Sequence, residues 1–248
     1  MHTIFTLLFV GLCPLTLMSM PVMRVPATTT LVTSTYDEDQ VIYDNECLEY
    51  LPVTSPITQR IWLDRNLGAL QVAEEPGDHW AYGDLYQWGR KADGHQKVLW
   101  STFDEGVLLN KQTLINTDCP TSTHFIIEQY PPHDWRKTKN SRLWSGSKSE
   151  NSPCPKGYRV PTPEEWAAES RGWQNASSAF QSFLKLPMTG YRSGTSALLY
   201  HASRFGYYWS SAGEQDKTKA LCFGEKTALL RNRFRAYGFA VRCIKCIE

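Results

Sequence analysis

Six cysteines, Cys47, Cys119, Cys154, Cys222, Cys243 and Cys246, lie downstream of an uncharged apolar stretch at residues 4–18 (IFTLLFVGLCPLTLM). The stretch is shorter than the roughly 20 apolar residues that a membrane-spanning helix needs. It fits the apolar region of a secretory signal peptide instead. No Lys or Arg precedes it, and both Met18-Ser19-Met20 and Val25-Pro26-Ala27 are imperfect cleavage sites. Leu12 stands where a lipidated Cys13 would need a small residue, so a lipoprotein anchor is not expected. An even set of cysteines behind such a leader reads as the disulfide framework of a secreted or cell-surface protein, with the pairing left open. Residues 19 to about 40 are Thr, Ser, Pro and Val-rich, and the expected organisation is a leader at 1–27, a flexible N-terminal segment at 28–50, and one globular domain at 51–248. No transmembrane helix is expected in the mature chain.

The charge balance narrows the partners. With 26 Lys and Arg against 25 Asp and Glu, the net charge is +1, too little to displace the counterions of nucleic acid, so no nucleic-acid partner is expected. Aromatic residues make up 12%, alongside 16 Gly and 14 Pro, which favours short strands and turns over a helical bundle.

Local patterns support this. Residues 40–43 and 60–63 read as strands, and Asp64-Arg65-Asn66-Leu67-Gly68 as a turn. Trp80, Leu85 and Trp88 fall at near-helical spacing, predicting a short amphipathic helix over 79–90. Residues 97–153 carry no strong period and read as a long loop region with brief elements. Thr162 before Pro163, with Glu165 three residues on, is a capping box, so a helix is predicted from Pro163 to about Gly172. A second helix is predicted over 177–184. Runs at 207–211 (YYWSS), 219–224 (KALCFG), 229–236 (LLRNRFRA) and 238–245 (GFAVRCIK) predict a C-terminal β-meander.

No catalytic constellation stands out. Ser145 lacks a nucleophile turn, and no phosphate loop is present. Glu164 and Glu165 are explained by the helix N-terminus. The six histidines show no ligand spacing. Glu74, Glu75, Asp78 and Asp84 lack the EF-hand pattern and read as a solvated acidic loop, so no cofactor is expected and calcium has no supporting motif. The C-x-x-C of Cys243 and Cys246 follows a strand, whereas redox pairs sit at helix N-termini; structural disulfides to separate partners are expected. The candidate ligand surface is the arginine run. Strand alternation puts Arg231, Arg233 and Arg235 on one open face, with Tyr208 as the outward neighbour of a core Trp209 and Tyr237 close by. That face would grip an anionic group through bidentate hydrogen bonds. The unknown partner is expected to be a glycan, peptide or protein ligand.

Six blocks, RIWLDRNLGA (60–69), AYGDLYQWGRKADGHQ (81–96), CPKGYRVPTPEEW (154–166), LPMTGYRSGT (186–195), YYWSSA (207–212) and GFAVRCIK (238–245), together resemble the Fibrobacter succinogenes major paralogous domain family. That family is similar to C-type-lectin-like folds and to the fold of formylglycine-generating enzyme. The resemblance covers roughly residues 50–246. It implies an α+β, C-type-lectin-like domain, with two helices flanking antiparallel sheets and the last strand returning beside the first. On that fold the GYR segment neighbours the last strand, which implies Cys154–Cys243. Cys47–Cys246 is a weaker proposal, and Cys119–Cys222 is what then remains. Members are typically exported bacterial proteins, and related lectin-like proteins serve as variable binders of diversity-generating retroelements. The calcium–sugar motifs of C-type lectins are absent here. The resemblance implies a non-catalytic binding module; alternatives are a thiol oxidoreductase or oxidase related to formylglycine-generating enzyme, and a structural envelope protein.

Overall fold

The computed structural model describes residues 41–43, 48–108, 113–115, 123–146, 149–214 and 217–247. The leader at 1–27, Cys13, Cys47 and Cys119 lie outside the described residues.

Antiparallel sheets dominate, with two short helices. β1 (Val41–Tyr43) pairs with β2 (Leu48–Tyr50). Tyr50 is fully buried, and its hydroxyl accepts from Gly68 N–H, so packed structure begins a little before the expected Leu51. β3 (Pro52–Thr54) and β4 (Ile61–Leu63) form a hairpin. β17 (Ile244–Lys245) lies beside β4 with Ile244 opposite Trp62, and β10 (Tyr158–Arg159) flanks it. β17 thus closes against the β3–β4 hairpin. A second sheet runs β12 (Leu199–Ala202), β11 (Thr189–Arg192), β16 (Gly238–Phe239), β5 (Tyr86–Gln87). A third holds β13 (Gly206–Glu214), β14 (Lys217–Phe223) and β15 (Ala228–Phe234). The expected meander therefore stands for three strands. The fourth run, 238–245, divides between two sheets, with Ala240, Val241 and Arg242 buried at the crossing. Within 97–153, β6 (Val98–Trp100) pairs with β7 (Gly106–Leu108), and β8 (Thr113–Ile115) lies parallel to β9 (Phe125–Ile127).

The capping box forms. α1 (Pro163–Glu169) starts at Thr162, whose hydroxyl accepts from Glu165 N–H, while the Glu165 carboxylate accepts from Thr162 N–H. Glu165 also pairs with Arg60 at 2.6 Å and Arg159 at 2.7 Å, so the helix start is bolted to the β10–β17–β4–β3 sheet. Burial would raise this carboxyl, but the Arg159 hydrogen bonds and the Thr162 amide hold it below its ordinary value. α2 (Ala176–Gln181) is capped by Asn175.

The helix predicted over 79–90 is reduced to a single 3-10 turn, His79–Ala81. Gly83 has φ +71°, and a Cβ there would sit 2.3 Å from Leu67 O. The left-handed backbone ends the turn. From Ala81 on, Ala81, Tyr82, Leu85, Tyr86 and Trp88 are all buried, leaving no polar face, while Trp80 points out at 45% exposure. Asp78 caps the turn and accepts from Gln71 and from Glu74 N–H. That acidic residue is structural rather than solvated.

Two aromatic-rich cores lie on opposite faces of the β13–β14–β15 sheet, one with Tyr208, Leu221 and Phe223, the other with Tyr207, Trp209 and Cys222. Among the described residues no helix is long and apolar enough to cross a membrane.

The Cys154–Cys243 disulfide is present, with Cα atoms 5.9 Å apart. Cys222 and Cys246 are free thiols, which corrects the Cys119–Cys222 and Cys47–Cys246 pairings. Cys222 is buried in the core, where its thiol donates to Ala220 O. This cross-link closes a separation of 89 residues, so the chain-entropy relation gives it about 4.6 kcal/mol. The double substitution Cys154→Ser/Cys243→Ser is expected to lower unfolding free energy by about that amount in urea titration; a midpoint unchanged from the oxidised protein would contradict it.

Candidate functional site

Four strands and a turn deliver aromatic side chains to one open cleft of about 280 Å³. β11 supplies Tyr191, β13 supplies Tyr207, β15 supplies Arg233 and Phe234, the following turn supplies Tyr237, and β16 supplies Phe239. Tyr191 is the hub. Its ring lies 5.1 Å from Tyr207, 5.5 Å from Tyr237 and 6.1 Å from Phe239. On its other side it stacks on Tyr200 at 5.7 Å and meets the edge of His201 at 5.4 Å. The close β11–β12 approach behind these rings depends on Gly190 (φ +62°), where a Cβ would lie 2.4 Å from Ala202 N. His201 is itself left-handed at φ +62°, a costly state for a non-glycine residue. It places the imidazole Nδ1 3.3 Å from the Tyr207 hydroxyl. Burial raises the Tyr207 phenol to about 12; Tyr191 is raised as well, by burial and then by Tyr237. Both phenols are therefore neutral hydrogen-bonding groups near neutral pH.

The arginine run divides. Arg231 is exposed and Arg233 half-buried, with the Arg233 guanidinium over the Tyr207 ring at 5.8 Å. Arg235 does not share their face. β15 ends at Phe234, alternation stops, and Arg235 turns inward at 1% exposure. There it pairs with Asp134 at 3.1 Å and lies over Trp88 at 4.6 Å. Tyr208 is likewise core rather than outward, because the β13–β14 pair is covered on both faces. It stacks on Phe223, donates to Pro187 O and accepts from Asn66. Tyr237 lines the cleft as expected of a neighbour. Of the five expected ligand residues, Arg233 and Tyr237 meet in the cleft and Arg231 sits exposed on the same strand. Tyr191, Tyr207, His201 and Phe239 were not anticipated. Their local signals are ordinary, since only the long-range pairing of β11 with β12 and β16 brings them together.

Behind the cleft lies a buried polar cluster. Arg192, next to Tyr191, donates to Ala197 O and His95 O and lies 4.0 Å over the Phe125 ring. His95 is fully buried. Its Nε2 accepts from Gln87 N–H, so the proton sits on Nδ1, facing Asp93 Oδ1 at 2.5 Å. Burial and the nearby Arg90 push the imidazole down to about 4 despite Asp93. A smaller cavity of about 120 Å³ lies beside exposed Trp80 and Leu99. Its Asp84 is engaged by Lys97 at 3.5 Å and by Val98 N–H.

No protein-family model, curated protein or solved structure matches the chain.

The buried histidine sets a pH dependence. The folded state holds His95 neutral to about pH 4, whereas an unfolded imidazole protonates near 6.5. Stability from this group is intact above about pH 6.5 and falls by on the order of 3 kcal/mol toward pH 4. Urea unfolding at pH 7 and pH 4.5 is expected to show this loss, and His95→Gln is expected to flatten it; a wild-type profile already flat over that interval would contradict the assignment.

Burial raises the Cys222 thiol to about 11, partly offset by Arg233 and Arg231, whereas Cys246 is only half-buried. Since the thiolate is the reactive form, native alkylation followed by peptide mapping is expected to label Cys246 and spare Cys222 until denaturant is added.

Proposed function

We propose that the chain is an exported or cell-surface binding module that recognises a glycan, peptide or protein ligand through the cleft of its C-terminal strands, without catalysing a reaction. We further infer membership of the Fibrobacter succinogenes major paralogous domain family and a C-type-lectin-like fold. The observation that carries the reading is the cleft itself, with half-buried Tyr191, Phe234 and Tyr237 beside the Arg233 guanidinium and buried Tyr207 and Phe239 beneath them. Amphipathic tyrosines and arginine are the side chains that concentrate binding energy at recognition surfaces. The family reading is supported by the meeting of its sequence blocks: 60–69 and 238–245 at Trp62 and Ile244, and 154–166 and 238–245 through Cys154–Cys243.

The thiol-oxidase alternative is less well supported. Cys243 is bonded to Cys154 rather than to its C-x-x-C neighbour Cys246, and the Cys222 thiol is buried and raised.

The test is a screen of the oxidised full chain on glycan, peptide and protein arrays, repeated with Arg233→Glu and Tyr237→Ala. A ligand is expected whose affinity each variant lowers at least about fivefold, or about 1 kcal/mol, a loss that only a minority of interface residues reach. Binding that neither variant changes, or no binding on any array, would remove the reading.

A further inference from the structure

Resting on the binding-module reading, we propose that the cleft holds a single saccharide ring bearing one anionic group, a carboxylate or a sulfate. Size comes first. At about 280 Å³ the cleft lies just below the range of about 300–1,000 Å³ of small-molecule sites, room for one ring and not for a length of polymer. Shape comes second. The walls are the half-buried rings of Tyr191 and Tyr237, over a floor of buried Tyr207 and Phe239, and the two wall rings are surfaces that pack against the C–H face of a sugar.

Polarity then selects the substituent. A neutral sugar hydroxyl both donates and accepts, and a site for several of them needs acceptors as well as donors. Here three tyrosine hydroxyls and the Asn232 amide both donate and accept, while the guanidinium adds donors only; with no carboxylate among the lining residues, donors outnumber acceptors. A carboxylate or sulfate only accepts, and matches that donor excess, with bidentate geometry available from arginine. Among the described residues no carboxylate pairs with Arg231 or Arg233. Lys217 adds charge beside them, its ammonium 4.9 Å from the Phe234 ring. Among the described residues no carboxylate compensates Arg231 or Arg233, unlike Arg235, which Asp134 answers inside the core.

Calorimetry on the oxidised full chain tests this with a hexuronate methyl glycoside, a sulfated hexose, the neutral parent hexose, a nucleoside monophosphate and an acidic peptide. Binding of the uronate or of the sulfated sugar in preference to the neutral hexose is expected, and the stronger of the two identifies the anion. Arg233→Gln is expected to weaken that ligand roughly tenfold or more, as loss of a charged hydrogen bond does, with a melting temperature near wild type because the side chain is at the surface. Raising the salt concentration is expected to weaken binding in parallel. Equal affinity for the neutral hexose, or no effect of Arg233→Gln, would overturn the anionic-sugar assignment and leave the binding module standing. Preference for the nucleotide or the peptide would do the same. Failure of all five probes would overturn the assignment too, while the array screen decides separately whether the module binds anything.

Discussion

Buried backbone carbonyls are the constraint on which this fold is built. With short strands and long connections, many main-chain groups enter the interior without a ladder partner, and each must still be paired. Indole N–H groups perform much of that pairing. Trp88 donates to Ser210 O, Trp100 to Gly83 O, Trp135 to Trp88 O, Trp144 to Asn151 O, Trp166 to Trp209 O and Trp209 to Tyr86 O. Each ring fills the core while its single donor fixes a connection. Arg242 does the same with more donors, binding Leu63 O, Asp64 O and Leu184 O as well as Asn66 Oδ1. Removing any of these leaves an orphaned carbonyl as well as a void, which is why such a core tolerates irregular backbone but not the loss of its polar tips.

The same rule explains why the arginines sort as they do. Arg90, Arg192, Arg235 and Arg242 are all buried to 1% exposure or less. They stay inside because carbonyls, carboxylates or aromatic faces surround them. Arg231 and Arg233 pair with no carboxylate among the described residues, and β15 is the edge strand of its sheet, so Arg231 is exposed and Arg233 only half-buried. Charge left outside is charge available to a ligand. Charge brought inside is structural.

Much of this was legible in the sequence where the cause is local. The capping box at Thr162 and Glu165, the strands around 61–63, 206–214, 217–223 and 228–234, and the turn at Gly68 each follow from neighbouring residues. Legibility failed where the cause is remote. Trp80, Leu85 and Trp88 have helical spacing, yet Gly83 is left-handed at φ +71° and lies so close to Leu67 O that no Cβ would fit. Alternation in 231–235 is correct until the strand stops at Phe234. Tyr208 is core because both faces of β13 are covered, which one strand's pattern cannot show. The cysteine parity suggested three bridges, but burial of Cys222 against Ala220 O is a packing outcome that parity does not encode.

The cleft inherits its rigidity from this interior. Its rings are packed on one another through Tyr191, and Tyr191 is anchored by its neighbour Arg192, which is held over Phe125 and bonded to Ala197 O and His95 O. The left-handed His201 can persist only because that framework over-determines it. A tyrosine lined up in this way has little rotamer freedom left to lose when a ligand arrives, so contact area converts to affinity with a smaller entropic loss than on a mobile loop. The cost of ordering the site is met at folding, by the same aromatic and arginine side chains that satisfy the core.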